Sequence, residues 1–547
     1  SDEGGEMMTG TMVIGCFDDG TVTALADDSK LLRISARKII VASGAYENML
    51  VFPGCDLPGV YGAGGFQTLM NVDGVLPGKN VLMVGAGNIG LIVSYQLMQA
   101  GGNVAAVIEA MPNVGGYGVH AAKIRRMGIP ILESHTVKSV QGRDRVESAT
   151  IVKLDNFKEV PGSEFAIDVD SVCLSVGLSP LSEILASAGC RMEYVPALGG
   201  YVPYHDENMM TSNENIFVAG DASGIEEASS AMVEGRIAGV TAAGAILDKD
   251  TETIIAEHKL HLQVLRGGPY GKKARQGKAE LWGVEGPSDP DPLPTRVMPK
   301  ETKFEKGKHV VVECRDNIPC NPCEEACRNG AIGIGADISS APRFDPDKCN
   351  ACGLCVTRCP GLAIFMVNMD YSEDMAEVTI PYEFLPVPAK GETWIALDRD
   401  GKEVGEVVIT KVVSSKAFDR KHLVSFATGK DLAHRARHIV KEKRAPLKKR
   451  KPALQDEADP IVCRCEDVRM SRIEEVIDAG YHSFDEIKRI TRAGMGPCQG
   501  KTCQRIIQQI LSRKLGIKMG DLKPMRVRAP LKPVPFNVMA KADYEEE

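Results

Sequence analysis

Val81-Leu82-Met83-Val84-Gly85-Ala86-Gly87-Asn88-Ile89-Gly90 sets a short apolar run against a Gly-x-Gly-x-x-Gly turn. The run has the composition of a strand buried in a parallel sheet. An apolar helical stretch to Ala100 follows, then a second apolar run that ends on Glu109, about twenty residues past the last glycine. Strand, glycine turn, helix, strand and acidic residue together form a dinucleotide-binding fingerprint. The glycines permit a tight turn that seats a pyrophosphate on the helix N-terminus, with Gly85, Gly87, Asn88, Ile89 and Gly90 as the binding positions. Glu109 is placed to accept ribose hydroxyls, and no arginine follows at once to receive a 2′-phosphate. NAD(H) is the candidate ligand, although such a domain can also persist with another nucleotide or with none.

Working outward, residues 11–41 alternate in strand fashion around turn signals such as Asp18-Asp19-Gly20. They lead into Ile39-Ile40-Val41-Ala42-Ser43-Gly44-Ala45, an apolar strand ending on small residues where backbone can approach a ligand closely. Downstream, Thr211-x4-Ile216-Phe217-Val218-Ala219-Gly220-Asp221 reads as a strand whose terminal carboxylate stands beside a polyhydroxyl chain such as ribityl. A simple helix cap by Asp221 fits the same residues. The helix that follows, starting near Glu226, contains Glu234-Gly235-Arg236.

Eight of the sixteen cysteines lie between positions 314 and 359. They run Cys314-x5-Cys320-x2-Cys323-x3-Cys327, then Cys349-x2-Cys352-x2-Cys355-x3-Cys359-Pro360. The second run has the spacing of a bacterial ferredoxin, in which three thiolates grip one iron–sulfur cluster and the fourth reaches across to another. The first run is altered: Asn317 stands where the usual spacing puts a cysteine, and Cys314 lies three residues earlier. The expected ligand sets are Cys327, Cys349, Cys352 and Cys355 on one [4Fe-4S] cluster, and Cys314, Cys320, Cys323 and Cys359 on the other. Structural zinc prefers two separated Cys-x2-Cys pairs, and disulfides require an oxidising compartment, so both fit less well.

A second cysteine group closes the chain: Cys463-x-Cys465 and Cys498-x4-Cys503. Ser471-x-x-Glu474 and Ser483-x-x-Glu486 read as two capping boxes between them, with Gly494 placed to end the second helix. Four thiolates gathered by short helices suit a [2Fe-2S] centre, with zinc as the alternative. Cys16, Cys55, Cys173 and Cys190 are isolated and read as ordinary thiols. Residues 378–426 alternate in short strands around the turn Asp398-Arg399-Asp400-Gly401-Lys402 and show no catalytic constellation.

At 547 residues the length predicts three or four domains, and 44% hydrophobic with 25% charged residues is ordinary for a globular protein. A formal charge of −8 and 5% aromatics give no reason to expect a nucleic-acid partner. The most apolar long helix candidate, residues 228–247, carries Glu234 and Arg236 at its middle, where a bilayer would penalise both. Clustered reduced cysteines without an export signal predict a cytoplasmic location.

Together these motifs resemble the flavoprotein (alpha) subunit of the two-component amino- and imino-acid dehydrogenases, the group of opine oxidases, hydrogen cyanide synthase and proline and hydroxyproline dehydrogenases. The carriers are Ala42-Ser43-Gly44-Ala45, Phe52-Pro53-Gly54-x-x-Leu57-Pro58-Gly59-Val60, the Gly85 fingerprint and Ala219-Gly220-Asp221. The Cys463-x-Cys465 module resembles a bacterioferritin-associated-ferredoxin (BFD-like) [2Fe-2S] domain. The resemblance implies a multidomain α/β fold of the disulfide-reductase type, with FAD held by Ser43, Gly44, Ala45, Gly220, Asp221 and Glu234. It implies FAD-binding segments at 1–75 and 200–250, a Rossmann domain at 76–199 and a linker at 251–305. A ferredoxin-like domain at 306–370, a small β module at 371–440, a basic linker at 441–458, the BFD-like domain at 459–520 and a tail at 521–547 complete the expectation.

The chain departs from that group in one respect: nothing before Thr11 supplies the glycine-rich βαβ unit for the FAD pyrophosphate. That unit is expected on a small companion chain or on a segment missing from this sequence. The redox cysteine pair of true disulfide reductases is absent too. The implied role is electron transfer from a partner amine-oxidising FAD subunit, resembling D-amino-acid oxidase, through the clusters to FAD and then to NAD or a soluble carrier. FMN at a subunit interface and a further ferredoxin-like subunit complete the cofactor and partner expectations. No general base, and so no catalytic residue, is assigned. The rival expectations are an NADH:ferredoxin-type oxidoreductase resembling the glutamate synthase small subunit, and a non-catalytic relay.

Overall fold

The computed structural model describes residues 4–286, 303–335, 337–418, 420–452 and 459–540. The chain divides into two compact units, Ser1–Val51 with Gly177–Pro290 and Asp459–Glu547, and Phe52–Val176 with Asp291–Ala458.

The second of these units is built on a five-stranded parallel sheet in the order Val60–Gly62, Ser171–Leu174, Asn80–Val84, Asn103–Glu109, Ile131–Glu133. Val81, Leu82, Met83, Val104, Val107 and Ile108 are fully buried, as strands covered on both faces require. The Rossmann boundary expected at 76–199 therefore shifts to 52–176. Val60–Gly62 pairs in register with Ser171–Leu174, whereas Leu178–Pro180 pairs with Ala45–Glu47 in the other unit's segments.

The same unit contains a seven-stranded antiparallel sheet in the order Lys308–Val312, Ile364–Asn368, Met375–Tyr382, His422–Gly429, Glu403–Ser414, Thr393–Leu397, His438–Val440. The expected ferredoxin-like domain and β module are thus not separate bodies. Both cysteine runs lie in the connection between the first two strands of this sheet, which shares one core around Phe365, Val378, Trp394 and Phe426. The expected turn closes Thr393–Leu397 onto Glu403–Ser414, with the Asp398 carboxylate accepting from the Asp400 and Lys402 amides. The basic segment expected as a solvated linker is docked over its described part, 441–452. Arg444 donates to the Val104 carbonyl, Arg450 forms a bridge with Ala166, and Lys449 stands 4.1 Å over the Phe165 ring. Residues 453–458 lie outside the described residues.

The other unit holds an antiparallel meander, Thr11–Cys16, Thr21–Ala26 and Lys30–Ser35, and a parallel pair, Ile39–Val41 with Ile216–Val218. Ile40 in that pair is 42% exposed, unlike the strands of the five-stranded sheet. The linker expected at 251–305 is helical over Glu252–Leu265 and Lys272–Trp282; its Pro-rich part, 287–302, lies outside the described residues. These helices are tied to the preceding one by buried ion pairs. Arg266 pairs with Glu226 and Glu234 at 2.6 Å each, and Lys278 pairs with Glu234 at 3.2 Å. Lys278 also donates to His205 Nε2 at 3.0 Å, while His205 Nδ1 donates to the Pro203 carbonyl.

At the C-terminal end, Met470–Asp478, Phe484–Thr491 and Cys503–Leu515 pack around Ile473, Phe484, Ile487 and Ile507. The Ser483/Glu486 capping box forms as expected. The Ser471/Glu474 box does not, because the helix already begins at Met470 and the Ser471 hydroxyl donates to the Asp459 carboxylate. Arg492, not Gly494, takes the left-handed position that ends the second helix; Gly494 turns the chain two residues later. The expected tail is packed over 521–540: Leu522 and Met525 join the helical core, and Val538 joins Ile14 and Leu25. No described helix is long and apolar enough to cross a membrane.

Removing Glu234 would leave Arg266 and Lys278 buried without their shared partner. Glu234→Ala is therefore expected to cost about 3–5 kcal/mol, measured by urea unfolding of Trp282 fluorescence in a Trp394→Phe background. Burial, then Lys278, lowers the His205 pKa to about 3 from 6.5. Its neutral form is thus the folded form, and its contribution is complete above pH 6.5 and is lost as pH falls towards 3.

Candidate functional site

The glycine turn after Asn80–Val84 has the tight turn and the close helix approach that the fingerprint's spacing implies. Gly85 sits at φ +106°, and a Cβ there would lie 2.1 Å from the Ser175 carbonyl oxygen. A Cβ on Gly90 would lie 2.1 Å from the Gly85 oxygen, so only glycine lets the helix Asn88–Gln99 approach the turn. Gly87 has open space where a side chain would point. Ile89 is 40% exposed on the same helix start. Glu109 accepts from the Ala86 amide at 2.8 Å and the Met111 amide at 2.9 Å, which leaves half of its four acceptor positions for ribose hydroxyls. Asn88 accepts from the Tyr117 amide at 2.7 Å, and Gly116 donates to the Ala86 carbonyl. This folds the Gly115-Gly116-Tyr117 loop over the turn; those glycines were the legible signal of a part of the site that the fingerprint alone does not include.

In the same unit, Cys314, Cys320, Cys323 and Cys359 line one cavity of about 200 Å³ with mainly apolar walls. Burial, with Cys359 adding to it, pushes Cys314 up to about 12 and Cys320 and Cys323 up to about 11. Cys355 is pushed up to about 12 by burial, then by Cys349, Cys352 and Cys327. Cys314 thus lies near Cys320 and Cys359, and Cys355 near Cys349, Cys352 and Cys327. Sulfurs already receive backbone donors: Ala331 to Cys327 at 3.2 Å, Ala351 to Cys349 and Ala363 to Cys359 at 3.4 Å. Crowded, desolvated thiols with amides aimed at them are a donor set that suits metal-bound thiolate. Among the described residues no three His, Cys, Asp or Glu side chains close around a single-ion position.

In the other unit, Cys465 and Cys498 have sulfurs 3.7 Å apart. Cys463 is lowered to about 6, first by a hydrogen bond from the Cys503 thiol, and Cys503 is raised correspondingly. A Cβ on Gly496 would lie 2.2 Å from the Cys465 Cβ, so the loop must carry glycine there to bring the pairs together. Cys16, Cys55, Cys173 and Cys190 are buried and unbridged.

The Ser43-Gly44-Ala45 turn is held by Leu181: the Ser43 hydroxyl donates to its carbonyl at 2.6 Å, and its amide donates to the Gly44 carbonyl at 2.9 Å. Gly44 takes φ +74° with open space on its Cβ side. Asp221 is half-buried, raised by desolvation, and accepts from the Glu226 amide at 3.2 Å, which braces the turn ahead of the helix Ala228–Leu247; that helix starts after Glu227 with no side-chain cap, so the expected cap by Asp221 does not form. Glu234, expected at the cofactor, is instead 1% exposed and saturated by Arg266, Lys278, the Ser223 hydroxyl and the Gly220 amide at 2.9 Å. Its contribution is to hold the Gly220 turn. Ser43 faces a cavity of about 710 Å³ that Cys498 also lines. Lys501, Arg526, Arg528 and Lys532 line it as well, facing one acid, Glu183.

Fold and motifs define an oxidoreductase-type chain: residues 2–235 match the pyridine nucleotide-disulphide oxidoreductase family profile, residues 317–363 a 4Fe-4S dicluster domain and residues 459–543 the sarcosine oxidase A3 domain. In particular, the chain is similar to an opine oxidase subunit of Rhizobium meliloti (strain 1021), at 28% identity over 256 residues covering 43% of this chain and 54% of that protein. It is similar to hydrogen cyanide synthase subunit HcnB of Pseudomonas protegens, at 26% identity covering 42% of this chain and 52% of that one. The chain thus spans about half the length of these relatives, each by name one subunit of an enzyme. L-proline dehydrogenase from P. horikoshii aligns over 97% of this chain and 64% of its own at 18% identity, with a TM-score of 0.44.

Gly85→Ala is expected to cost at least 1–3 kcal/mol, roughly the strain of a non-glycine residue in that region, followed by Trp394 fluorescence in a Trp282→Phe background. Gly87→Ala, with no atom in its way, should stay within about 0.5 kcal/mol of the parent.

Proposed function

We propose that this chain is the electron-transfer flavoprotein subunit of a complex that oxidises an amine or amino acid, taking electrons from a partner amine-oxidising subunit. The observation that supports this reading is a cavity of about 710 Å³ lined by both Ser43, of the proposed flavin turn, and Cys498, one of the proposed [2Fe-2S] ligands. Flavin would supply the exchange between paired and single electrons, and iron–sulfur clusters the single-electron steps.

In this reading Cys314, Cys320, Cys323 and Cys359 hold one [4Fe-4S] cluster, Cys327, Cys349, Cys352 and Cys355 the second, and Cys463, Cys465, Cys498 and Cys503 a [2Fe-2S] centre in a BFD-like domain. Asp221 keeps an acceptor for a ribityl hydroxyl, and the Gly44 turn lets the flavin approach backbone. Lys501, Arg526, Arg528 and Lys532 offset the charge of its phosphates. Glu109 selects NAD over NADP by accepting ribose hydroxyls and repelling a 2′-phosphate. The FAD pyrophosphate needs a glycine turn at a helix N-terminus; among the described residues the full fingerprint is the one at Gly85. In this reading the βαβ unit for that pyrophosphate lies on a small companion chain or on a segment missing from this sequence.

Anaerobic analysis of residues 1–547 expressed alone is expected to give about ten iron and ten sulfide per chain, from two four-iron clusters and one two-iron centre, with flavin lost on desalting. Cys314→Ala should lower iron towards about six. Stoichiometric zinc would overturn the [2Fe-2S] assignment, and tight stoichiometric FAD would overturn the split site.

A second reading, in which the Gly85 domain is a structural part of a relay, is favoured by the bonds that already engage Glu109. Titration of the native complex separates the two. NADH is expected to bleach the flavin and NADPH to do so far less; no response to either supports the relay. Co-purification with a second flavoprotein distinguishes the proposed subunit from a self-contained NADH:ferredoxin-type enzyme.

A further inference from the structure

The helix Gly118–Arg126 of the five-stranded parallel sheet is laid directly on the cysteine segments of its own unit. Asp316, two residues after Cys314, accepts from the Val119 amide at 2.7 Å. A Cβ on Gly361 would lie 2.9 Å from the Val119 Cβ, so the chain after Cys359 passes against the helix. Further along the same face, Lys123 reaches the Pro360 carbonyl at 3.4 Å and Arg126 the Leu362 carbonyl at 3.1 Å. Residues 119, 123 and 126 recur at three- and four-residue spacing, which brings them to one side of the helix.

His120 lies beside this stripe and lines the same cavity of about 200 Å³ as Cys314, Cys320, Cys323 and Cys359. Its ring stacks on Tyr117 with centroids 5.7 Å apart. Its Nδ1 is buried and has no hydrogen-bond partner among the described residues. A buried polar atom left unpaired costs roughly 1–3 kcal/mol, so a side chain held this way by stacking and helix packing is waiting for an acceptor that the polypeptide does not supply. An imidazole ring carries at least one N–H, and Nδ1 is a ring nitrogen that no described group engages. In a cavity ringed by four thiols, the acceptor that fits is sulfur.

We propose that His120 donates a hydrogen bond from Nδ1 to a sulfur of the cluster held by Cys314, Cys320, Cys323 and Cys359, and thereby raises that cluster's reduction potential. The inference rests on the cluster assignment made above. Its physical basis is that a donor at sulfur stabilises the more negative, reduced state more than the oxidised one. Lys123 and Arg126, both held at the Cys359 loop, act in the same sense through their charge.

The test is an EPR-monitored redox titration of the full chain with its clusters, for the parent, His120→Leu and His120→Gln. Iron and sulfide should be equal in all three. One [4Fe-4S] signal should move to more negative potential in His120→Leu and return towards the parent in His120→Gln, while the other two centres stay where they were. An unmoved potential in a fully loaded His120→Leu protein would overturn the proposal. Should that variant lose the cluster, pulsed EPR on the parent protein labelled with ¹⁵N-histidine decides instead. Coupling to a histidine nitrogen on that one signal is expected, and its absence overturns the proposal. Lack of iron and sulfide in the parent itself would sink the cluster assignment rather than the role of His120 alone.

Discussion

Desolvation of thiols is the constraint on which the rest of this chain depends. Burial first, and then their neighbours, raise Cys314 and Cys355 to about 12. A fold that gathers such groups works against their ionisation, and only rigid surroundings keep them together. The cysteine segments have little regular structure of their own: the helices among them, Pro322–Glu325 and Leu354–Arg358, are four and five residues long. Their rigidity has to be borrowed.

It is borrowed from the seven-stranded sheet. Glu313, next to Cys314, is buried between Arg437 and Arg399, with Arg437 Nε at 2.6 Å. Burial would raise its carboxyl, but the two guanidinium groups hold it below the usual range. Removing either arginine would leave a buried charge under-compensated, so this pairing fixes where the first thiol stands. The other end of the cysteine segments is fixed by Ile364–Asn368, which enters the sheet beside Lys308–Val312. The helix Gly118–Arg126 closes the remaining side through Lys123 and Arg126, tying the cysteine loops to the five-stranded parallel sheet of the same unit.

The other unit solves a related problem with charge. Its parallel pair is short and partly exposed, and the Gly220 turn would be poorly determined by two strands alone. Glu234 supplies the missing constraint by accepting the Gly220 amide while Arg266 and Lys278, from helices that follow in sequence, neutralise it. Nothing in the sequence around Glu234 reveals this, because its partners lie 32 and 44 residues away (266 − 234 and 278 − 234) on a segment whose proline and charge content resembles a linker.

The sequence by itself determined the local chemistry. Gly85 and Gly90 make the tight turn and the close helix approach that their spacing predicts, and the Ser483/Glu486 box and the Asp398–Lys402 turn form. Such features depend on residues a few positions apart, so the physics that makes them is legible in a short window. Tertiary structure alone decided what shares a core with what. It joined the cysteine segments to the β strands in one sheet, turned residues 252–282 and 521–540 from linker and tail into packed structure, and buried Glu234 among Arg266, Lys278 and the Gly220 turn. Those outcomes rest on pairings between distant segments, such as Val60 with Val172 and Lys308 with Asn368. Strand registry and buried ion pairs of that kind are set by total burial and charge compensation, which no local window of residues encodes.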